Sequence, residues 1–446
     1  MSSFNPLEAV SPIDGRYRKV IEPLKEYFSE YALFRYRCLT EIEYFISLCD
    51  IPLPQLSSFP KKLYGDLRKI YQDFNVEEAL KIKEIENTTN HDIKAVEYYI
   101  KNKFDALNLS KYKEFVHFGL TSYDINNTAI PLLLKEGFEN EILPGIKKIL
   151  TLLKSKAEEW KSITMLARTH GQPASPTRLG KEIEVFIFRI EAQLNLLSYI
   201  PYSAKFGGAT GNFNAHYVAY PEINWNDFAD DFVNNKLGLS RSYPTTQIEH
   251  YDNFGAFCHN LQRINTILLD FCRDIWTYIM LEFFTQKIKK GEIGSSSMPH
   301  KVNPIDFENA EGNIGIANSV FAHFAEKLPV SRLQRDLSDS TVLRNIGVPL
   351  SHSLIAYKSI LRGIEKLQVN KNAIEKDLNN HWEVVAEAIQ TILRREEYPE
   401  PYEALKKLTR GNKTINKDVL IRFIDSLDIS ESVKNELKQI TPFNYT

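Results

Sequence analysis

The sequence has few cysteines, and those present lack the spacings that bind metal or build disulfide frameworks. Only four occur in 446 residues, at positions 38, 49, 258 and 272, and no two of them form a C-x-x-C pair. Disulfide scaffolds of secreted domains and zinc-binding modules both depend on closely spaced cysteines. We therefore expect four reduced thiols in the core of a protein from a reducing compartment.

An excess of charge of one sign is also missing. Fifty-five basic residues face 57 acidic ones, for a net charge of −2. This balance argues against a nucleic-acid partner, so an anionic substrate must be held by locally placed cations. No apolar run approaches the ~18 residues of a membrane span, and the first residues, MSSFNP, have no signal-peptide pattern. We expect a cytoplasmic protein with no membrane partner.

The common phosphate-binding and metal-binding motifs are missing as well. The glycine-rich stretch 205–212, KFGGATGN, is neither a Walker A loop nor a G-x-G-x-x-G motif. We interpret it as a turn between helices near the functional site. No H-E-x-x-H motif and no carboxylate-rich metal loop occur, so we predict neither a metal nor another cofactor.

Apolar residues recur at steps of three and four through the middle of the chain, which is typical of packed helices. No Gly or Pro occurs between Ala256 and Lys290, so this helix could reach roughly thirty residues, or about 45 Å. Helices of this length are characteristic of bundles. The longest stripe consists of Phe257, Leu261, Ile264, Leu268, Phe271, Ile275 and Tyr278. Two further stripes run through Ile142, Ile146, Ile149, Leu153, Ala157 and Trp160, and through Leu179, Ile183, Phe186, Ile190, Leu194 and Leu197.

The sequence therefore predicts an all-α protein of three helical domains. The N-terminal domain, 1–111, mixes short helical segments with prolines. The central domain, 112–365, contains the long-helix bundle. The C-terminal domain, 366–446, is more charged, and its helices are shorter, with a break at Pro399 and Pro401.

One loop concentrates the reactive groups of the chain. It reads GSSSMPHKVNP at 294–304 and lies between two helical segments. Its hydroxyls lie a few residues from the cation of Lys301 and the amide of Asn303, which together would stabilise a developing oxyanion. A plain Ser/Gly linker is the alternative, but such linkers seldom end in MPHKVNP and run on into a helix.

Other polar segments have both a structural and a functional interpretation. Asp14-Gly15-Arg16-Tyr17 is a turn that presents an arginine, which is solvated by default. Asn90 or Thr89 could cap a helix from Asp92, whereas His91 is better explained as a substrate contact. Thr121 with Asp124 has the spacing of a capping box.

Two further segments carry charge or a histidine. Two prolines and a glycine predict a loop at 168–176 with His170 at its tip, either solvated or hydrogen-bonded by its neighbours. The segment 331–345 contains three arginines and several hydroxyls without interleaved aromatics, which favours a phosphate monoester over nucleic acid. Surface salt bridges with Asp336 and Asp339 are the alternative.

These blocks together resemble the fumarase/aspartase superfamily, whose members eliminate fumarate from substituted succinates. The pattern G-S-S-x-M-P-x-K-x-N-P at 294–304 is the superfamily signature, and Thr-His-Gly-Gln-Pro at 169–173 extends the likeness. The version with His300, continued by IDFEN at 305–309, is most similar to the branch that cleaves succinylated purine ribonucleotides. In that branch the substrates are adenylosuccinate and a succinylated aminoimidazole ribotide, and the products of the first are fumarate and AMP. The resemblance further implies a homotetramer with a shared helical core and with active sites built from several chains.

The resemblance also implies roles for individual residues. Ser295 would be the general base and His170 the general acid, although Ser296 remains an alternative base. The arginines of 331–345, with Arg16, would hold the substrate phosphate. The implied substrate contacts are Arg16, Tyr17, Asn90, His91, Asp92, Thr121, Ser122, Gln247, Ser296, Lys301, Val302, Asn303, Asn309, Arg335, Ser340, Thr341 and Arg344.

Two rival interpretations remain at the level of the sequence. Argininosuccinate lyase and fumarase belong to the same superfamily, but neither needs a phosphate site, so Arg16, Arg335 and Arg344 argue against both. A non-catalytic structural protein on the same scaffold is the other rival, as in lens crystallins. The presence of His170 together with the signature loop argues against that rival.

Overall fold

The structure, a computed structural model, describes residues 5–287, 291, 297–298, 300–411 and 415–446. Ser295 and Ser296, the two candidate bases, lie outside the described residues. The described chain is predominantly helical, which confirms the predicted all-α class.

The α-helices in the first half of the chain are α1 (Arg18–Ile21), α2 (Lys25–Phe28), α3 (Glu30–Asp50), α4 (Tyr64–Gln72), α5 (Val76–Thr89), α6 (Asp92–Ala106), α7 (Ser122–Gly137), α8 (Leu143–Trp160), α9 (Leu179–Leu197), α10 (Asn214–Ala219) and α11 (Trp225–Asp230). Those that follow are α12 (Asp252–Met280), α13 (Ile305–Lys327), α14 (Ser338–Leu343), α15 (Gly347–Lys366), α16 (Lys371–Asn380), α17 (Ala386–Arg395), α18 (Pro401–Gly411), α19 (Lys417–Asp425) and α20 (Glu431–Lys438). The short strands are β1 (Thr164–Thr169), β2 (Gln172–Arg178), β3 (Ser203–Ala204), β4 (Ser240–Arg241), β5 (Phe284–Gln286) and β6 (Leu367–Val369).

The chain divides into two compact units. The first unit comprises Met1–Lys147, Gln193–Thr266 and Gly312–Lys358, and the second comprises Lys148–Ala192, Ile267–Glu311 and Ser359–Thr446. The division into three domains at residues 111 and 365 stays a prediction.

Helix α3 is the centre of the first unit. It begins after Ser29, whose hydroxyl accepts the backbone N–H of Ala32 and so satisfies one of the free donors at the helix start. The helix packs against α2, α4, α6 and α7 and is buried over most of its length. Arg37 and Glu41 are buried in it among apolar side chains. Because a buried charge is costly without partners, these two residues indicate a polar network inside the unit.

The long helix predicted around Phe257–Tyr278 is confirmed as α12, which has 29 residues. It ends at Met280 and not nearer Lys290, because the chain then turns and pairs β5 with β6. The stripe from Phe257 to Ile275 is buried, and Tyr278 is half-buried. In the second unit, the Phe271 ring lies 5.4 Å from that of Phe186 on α9 and 6.3 Å from that of Phe307 on α13, measured between centroids.

The prediction of an irregular loop at 168–176 is wrong. Strands β1 and β2 pair there as an antiparallel hairpin, with only His170 and Gly171 between them. Both turn residues have positive φ, 54° and 74°, as a two-residue turn matched to strand twist requires. The prediction of a loop depended on prolines 173 and 176. They are tolerated because the sheet has just two strands, each with a free edge.

All four cysteines are free and buried, as predicted. Burial raises the pKa of the Cys49 thiol to about 12, so this thiol stays protonated at neutral pH. Within the part of the chain that the structure describes, no helix is long and apolar enough to cross a membrane.

Candidate functional site

A cleft of about 660 Å³ opens in the first unit between α3, α7, the α5–α6 turn and the segment around α14. Its walls combine charged and hydroxyl groups with the apolar side chains of Leu33, Ile130 and Leu133. The predicted site residues that line it are Asn90, His91, Asp92, Ser122, Arg335, Ser340, Thr341 and Arg344. The fold therefore brings three segments that are far apart in sequence to one cleft.

The turn between α5 and α6 carries the first of these segments. Asn90 ends α5 in the left-handed conformation, with φ 48° and ψ 34°, so it does not cap α6 as the sequence suggested. His91 is the N-cap instead, and its Nδ1 accepts the backbone N–H of Lys94 at 3.2 Å. An accepting Nδ1 leaves the proton of the neutral ring on Nε2, which is then a donor. Both an amide and an imidazole can cap a helix, so the residue types at 90 and 91 do not show by themselves which one caps α6.

Asp92 joins two arginines at the edge of the cleft. Its Oδ2 accepts Nη2 of the buried Arg37 at 2.8 Å and Nη2 of Arg344 at 3.2 Å. Burial pushes the pKa of Asp92 upward, but Arg37, the Ile93 N–H and Arg344 outweigh it, so the pKa lies below its ordinary value. The carboxylate is therefore ionised and orients Arg344.

Arg37 is a cleft residue that the sequence analysis missed. Its Nε donates to Oδ1 of Asn126 at 3.0 Å, while its Nη2 holds Asp92. The contact to Asp92, 55 residues away, reveals this role, since α3 contains several charged residues and the sequence around Arg37 forms no recognisable motif. Its burial on α3 is the one signal that a helical-wheel projection could have given.

Arg335 is held by stacking and by an amide. Its guanidinium lies over the ring of Tyr123, 4.0 Å from the centroid, and its Nη1 donates to Oε1 of Gln247 at 3.1 Å. Gln247 in turn donates to the carbonyl of Ala209 at 3.1 Å. Gln247 is thus a neighbour of the cleft that positions Arg335, and it does not line the cleft itself. A stacked guanidinium keeps its in-plane donors aimed at a ligand.

The hydroxyls next to Arg335 form an ordered group. Tyr123 donates its hydroxyl to Oδ1 of the buried Asp339 at 2.8 Å and lies 2.6 Å from Oγ of Ser340. Tyr251 donates to the other oxygen of Asp339 at 3.1 Å. Within the described residues, Asp339 is therefore bound by the two tyrosines and by the Ser340 N–H, and by no arginine. Thr341 is exposed at the cleft wall.

The alternative of surface salt bridges applies to one arginine of this segment. Arg332 pairs with Asp336 at 3.1 Å, and its side chain is 83% exposed. Arg335 instead donates to Gln247, and Arg344 donates to Asp92. Two of the three arginines therefore belong to the cleft and the third to the surface.

The start of α7 carries Thr121 and Ser122 and is anchored below them. Thr121 is the N-cap and forms a capping box with Asp124, as predicted from their spacing. Its backbone N–H donates to Asp124 Oδ2 at 2.8 Å. The other oxygen, Oδ1, accepts Nζ of Lys205 at 2.7 Å and the N–H groups of Gly207 and Gly208. The glycine-rich turn therefore donates its N–H groups to an internal carboxylate.

Arg16 and Tyr17 lie in the predicted turn, where the Tyr17 N–H donates to the carbonyl of Pro12 at 2.9 Å. Arg16 is exposed and Tyr17 half-buried. Neither lines the cleft, and the same is true of Thr121.

His170 lies in the second unit, at the tip of the β1–β2 hairpin, and is exposed. The flanking Arg168 does not hold it, because Arg168 binds Asp377 through Nη2 at 2.6 and 2.7 Å. Within the described residues, no hydrogen bond reaches the imidazole of His170. The hairpin thus presents the ring to its surroundings without a local partner.

The described part of the signature loop is also in the second unit. Lys301 is exposed, and its N–H donates to the carbonyl of Met298 at 3.0 Å. The carbonyl of Val302 accepts a hydrogen bond from Nε2 of Gln286 at 3.2 Å. Asn303 is half-buried. Asn309, on α13, accepts the hydroxyl of Ser359 at 2.9 Å.

The fold of the chain is shared by solved structures of low sequence identity. A fumarate lyase from Mesorhizobium sp. BNC1 superimposes with a TM-score of 0.73 at 18% identity, over 95% of this chain and 94% of that chain. The 3-carboxy-cis,cis-muconate lactonizing enzyme from Pseudomonas putida gives a TM-score of 0.70 at 19% identity, over 96% and 95%. These likenesses concern the fold alone.

Residues 15–321 match the family described as Lyase, which defines the class: the chain is a lyase. Residues 331–446 match the family described as Adenylosuccinate lyase C-terminal. The adenylosuccinate lyase of Dictyostelium discoideum is 58% identical over 99% of this chain and 97% of that relative. Those of Legionella pneumophila (strain Corby) and Escherichia coli (strain K12) are 50% and 47% identical over 99% and 98% of this chain and 96% of each relative. The chain belongs to the adenylosuccinate lyase family.

Proposed function

We propose that this chain releases fumarate from adenylosuccinate, leaving AMP, and performs the same elimination on the succinylated aminoimidazole ribotide of purine nucleotide biosynthesis. The cleft that joins Arg335 and Arg344 to Ser340 and Thr341 supports this proposal above all. Charge-assisted bonds from arginine are the usual means of holding a phosphate, and a phosphate is common to both substrates.

The proposed chemistry is a β-elimination. A base removes the proton from the carbon next to one succinyl carboxylate, and the electron pair delocalises onto that carboxylate. The C–N bond then breaks, and an acid protonates the departing nitrogen. We assign the base to Ser295, with Ser296 as the alternative, and the acid to His170. Lys301 and Asn303 would stabilise the charge that develops on the carboxylate.

The remaining predicted contacts divide by position. In the cleft, Asn90, His91 and Ser122 offer an amide, an imidazole N–H and a hydroxyl, while Asp92 orients Arg344. We propose that Arg16, Tyr17, Thr121 and Gln247 complete the nucleotide site, and that Val302 and Asn309 line the part near the signature loop. We propose the Nε2–H of the exposed His91 as a donor to a ribose or carboxylate oxygen.

Replacing Arg335 or Arg344 by Ala should weaken AMP binding roughly ten- to a hundred-fold, because one charge-assisted bond is worth ~1.5–3 kcal/mol. AMP carries the phosphate but lacks the succinyl group, so titration calorimetry with AMP isolates this site. Arg332→Ala is the matched control, since Arg332 lies in the same segment but is exposed and paired with Asp336. Unchanged AMP affinity in both cleft variants would refute the phosphate assignment.

Argininosuccinate lyase is the rival within the superfamily, and one assay separates the two. The purified chain is given adenylosuccinate or argininosuccinate, and fumarate release is followed by ultraviolet absorbance. Turnover of adenylosuccinate alone supports the proposal. Turnover of argininosuccinate alone would show that the chain is an argininosuccinate lyase instead. The arginines of the cleft would then need another explanation.

We also propose a cytoplasmic homotetramer. Large apolar side chains remain exposed on the parts of two long helices that belong to the second unit: Val185 and Phe188 on α9, and Trp276 and Met280 on α12. Val185 and Phe188, three residues apart, are neighbours on one face of α9 and are 42% and 75% exposed. Exposed apolar patches of this kind mark interaction surfaces. Covering such stripes with identical helices is the usual way in which a helical bundle assembles.

Active sites shared between chains predict that two inactive proteins restore each other. If His170 and Ser295 of one site come from different chains, then an equal random mixture of His170→Asn and Ser295→Ala chains restores about a quarter of the sites. Subunit exchange followed by the fumarate assay measures the restoration. Continued inactivity, with mixed oligomers verified by mass spectrometry, would place both residues on one chain.

A further inference from the structure

The hairpin that carries His170 has little to hold it in place by itself. A two-stranded hairpin is only marginally stable in isolation, and its turn exposes both His170 and Gly171. Within the described residues, no hydrogen bond restrains the imidazole. A catalytic group nevertheless has to stay within about 0.5 Å of its working position. Within this chain, the restraint must therefore act on the strands below the turn.

Strand β1 is tied to the C-terminal helices by an ion pair. Arg168, two residues before His170, donates from Nη2 to both carboxylate oxygens of Asp377 on α16, at 2.6 and 2.7 Å. Both side chains are largely buried, with 23% and 16% exposed. At the other end of β1, the Thr164 hydroxyl donates to the carbonyl of Phe443 at 3.2 Å.

Strand β2 is tied to the same region through its bulge. Leu166 pairs with Pro176 but Arg168 pairs with Pro173, so β2 has one extra residue between these pairs. A bulge of this kind redirects a side chain. Ser175, inside the bulge, donates its hydroxyl to Glu387 on α17.

Residues 445 and 446 make further hydrogen bonds in the same region. Tyr445 donates its hydroxyl to the same Glu387 at 3.0 Å. Farther down β2, Nε of Arg178 donates to the hydroxyl of Thr446 at 3.2 Å. Both strands therefore have anchors near the turn and at the base, all of them within the second unit.

We propose that these contacts form a hairpin clamp, centred on Arg168 and Asp377, by which the C-terminal helices position His170 for protonation of the leaving nitrogen. The inference rests on the proposed role of His170. Arg168 and Asp377 are positioning residues here, since they act through the strand and touch no substrate. The C-terminal region thereby has a task in the reaction in addition to its own packing.

The test combines amide hydrogen exchange with kinetics on the full-length protein. In Arg168→Met, the amides of 164–178 should exchange roughly tenfold faster. The kcat for adenylosuccinate should fall about ten- to a hundred-fold with KM nearly unchanged, because a shift of about 1 Å in a reacting group costs up to a hundred-fold. The isosteric Asp377→Asn should act similarly, and the double variant should add little.

The matched control is Arg395→Met. Arg395 pairs with Glu436 in the same C-terminal helices. Within the described residues, its side chain makes no hydrogen bond or ion pair with the hairpin, so hairpin exchange and kcat should both stay at wild-type values. Unchanged exchange at 164–178 in both clamp variants would overturn the clamp, as would faster exchange with normal kcat. If wild-type protein releases no fumarate, the proposed function fails, while the exchange data still decide whether the clamp exists.

Discussion

Replacing His170 by Asn should lower kcat for adenylosuccinate by about 10²–10⁴-fold, the usual contribution of a positioned general acid. Asn is the better replacement because His170 has φ 54°, a left-handed conformation that Asn tolerates and Ala does not. The Asn variant thus removes the titrating group and keeps the turn. A stopped-time fumarate assay of the purified protein measures the loss.

Two comparisons make this result specific. His259→Asn changes an exposed histidine on α12 and should leave kcat unchanged. His170→Ala should lose the same activity and, in addition, show faster amide exchange in the hairpin, because alanine strains the turn. Wild-type turnover in His170→Asn would remove His170 from the role of acid.

The repetitive parts of the fold followed from the sequence. Steps of three and four from Phe257 to Ile275 predicted a buried face, and the structure buries it. Thr121 and Asp124 were predicted as a capping box from a spacing of three, which is a local rule that needs no tertiary information. Periodicity and capping succeed because each depends on residues within one or two turns of helix.

The parts that failed depend on contacts far along the chain. Strands β1 and β2 looked like a loop because prolines usually exclude strands, and only their pairing with each other makes 173 and 176 edge positions. Arg37 had no local signature, since its partner Asp92 is 55 residues away. The cleft as a whole could not be predicted from local sequence either, because α3, the α5–α6 turn and α14 meet only after folding.

The buried ion pair beneath Thr121 and Ser122 allows a prediction about the free energy of unfolding. Lys205 and Asp124 lie 2.7 Å apart with both side chains 0% exposed. Lys61 and Asp50 have almost the same separation, 2.8 Å, but are 66% and 40% exposed. The pairs share residue types, distance and unit and differ in burial, but Asp124 also accepts the N–H groups of Thr121, Gly207 and Gly208. A difference between the two pairs therefore measures burial together with these bonds.

We expect Asp124→Ala to reduce the free energy of unfolding by about 3–5 kcal/mol, because Lys205 is then buried without its counter-charge. Asp50→Ala, the surface control, should cost no more than about 1 kcal/mol. Denaturant unfolding followed by circular dichroism compares the two. Equal costs would mean that solvent reaches the Asp124–Lys205 pair.

The same pair should respond differently when Lys205 is the residue removed. In Lys205→Met, the Asp124 carboxylate keeps the N–H groups of Thr121, Gly207 and Gly208 and lies in the first turn of α7, where the helix dipole favours negative charge. The cost should therefore be smaller than that of Asp124→Ala. The carboxylate would then be the group that holds the start of α7 in place, with the lysine as its counter-ion. A larger cost for Lys205→Met than for Asp124→Ala would reverse that order and make the lysine's bond to the Gly208 carbonyl the principal tie.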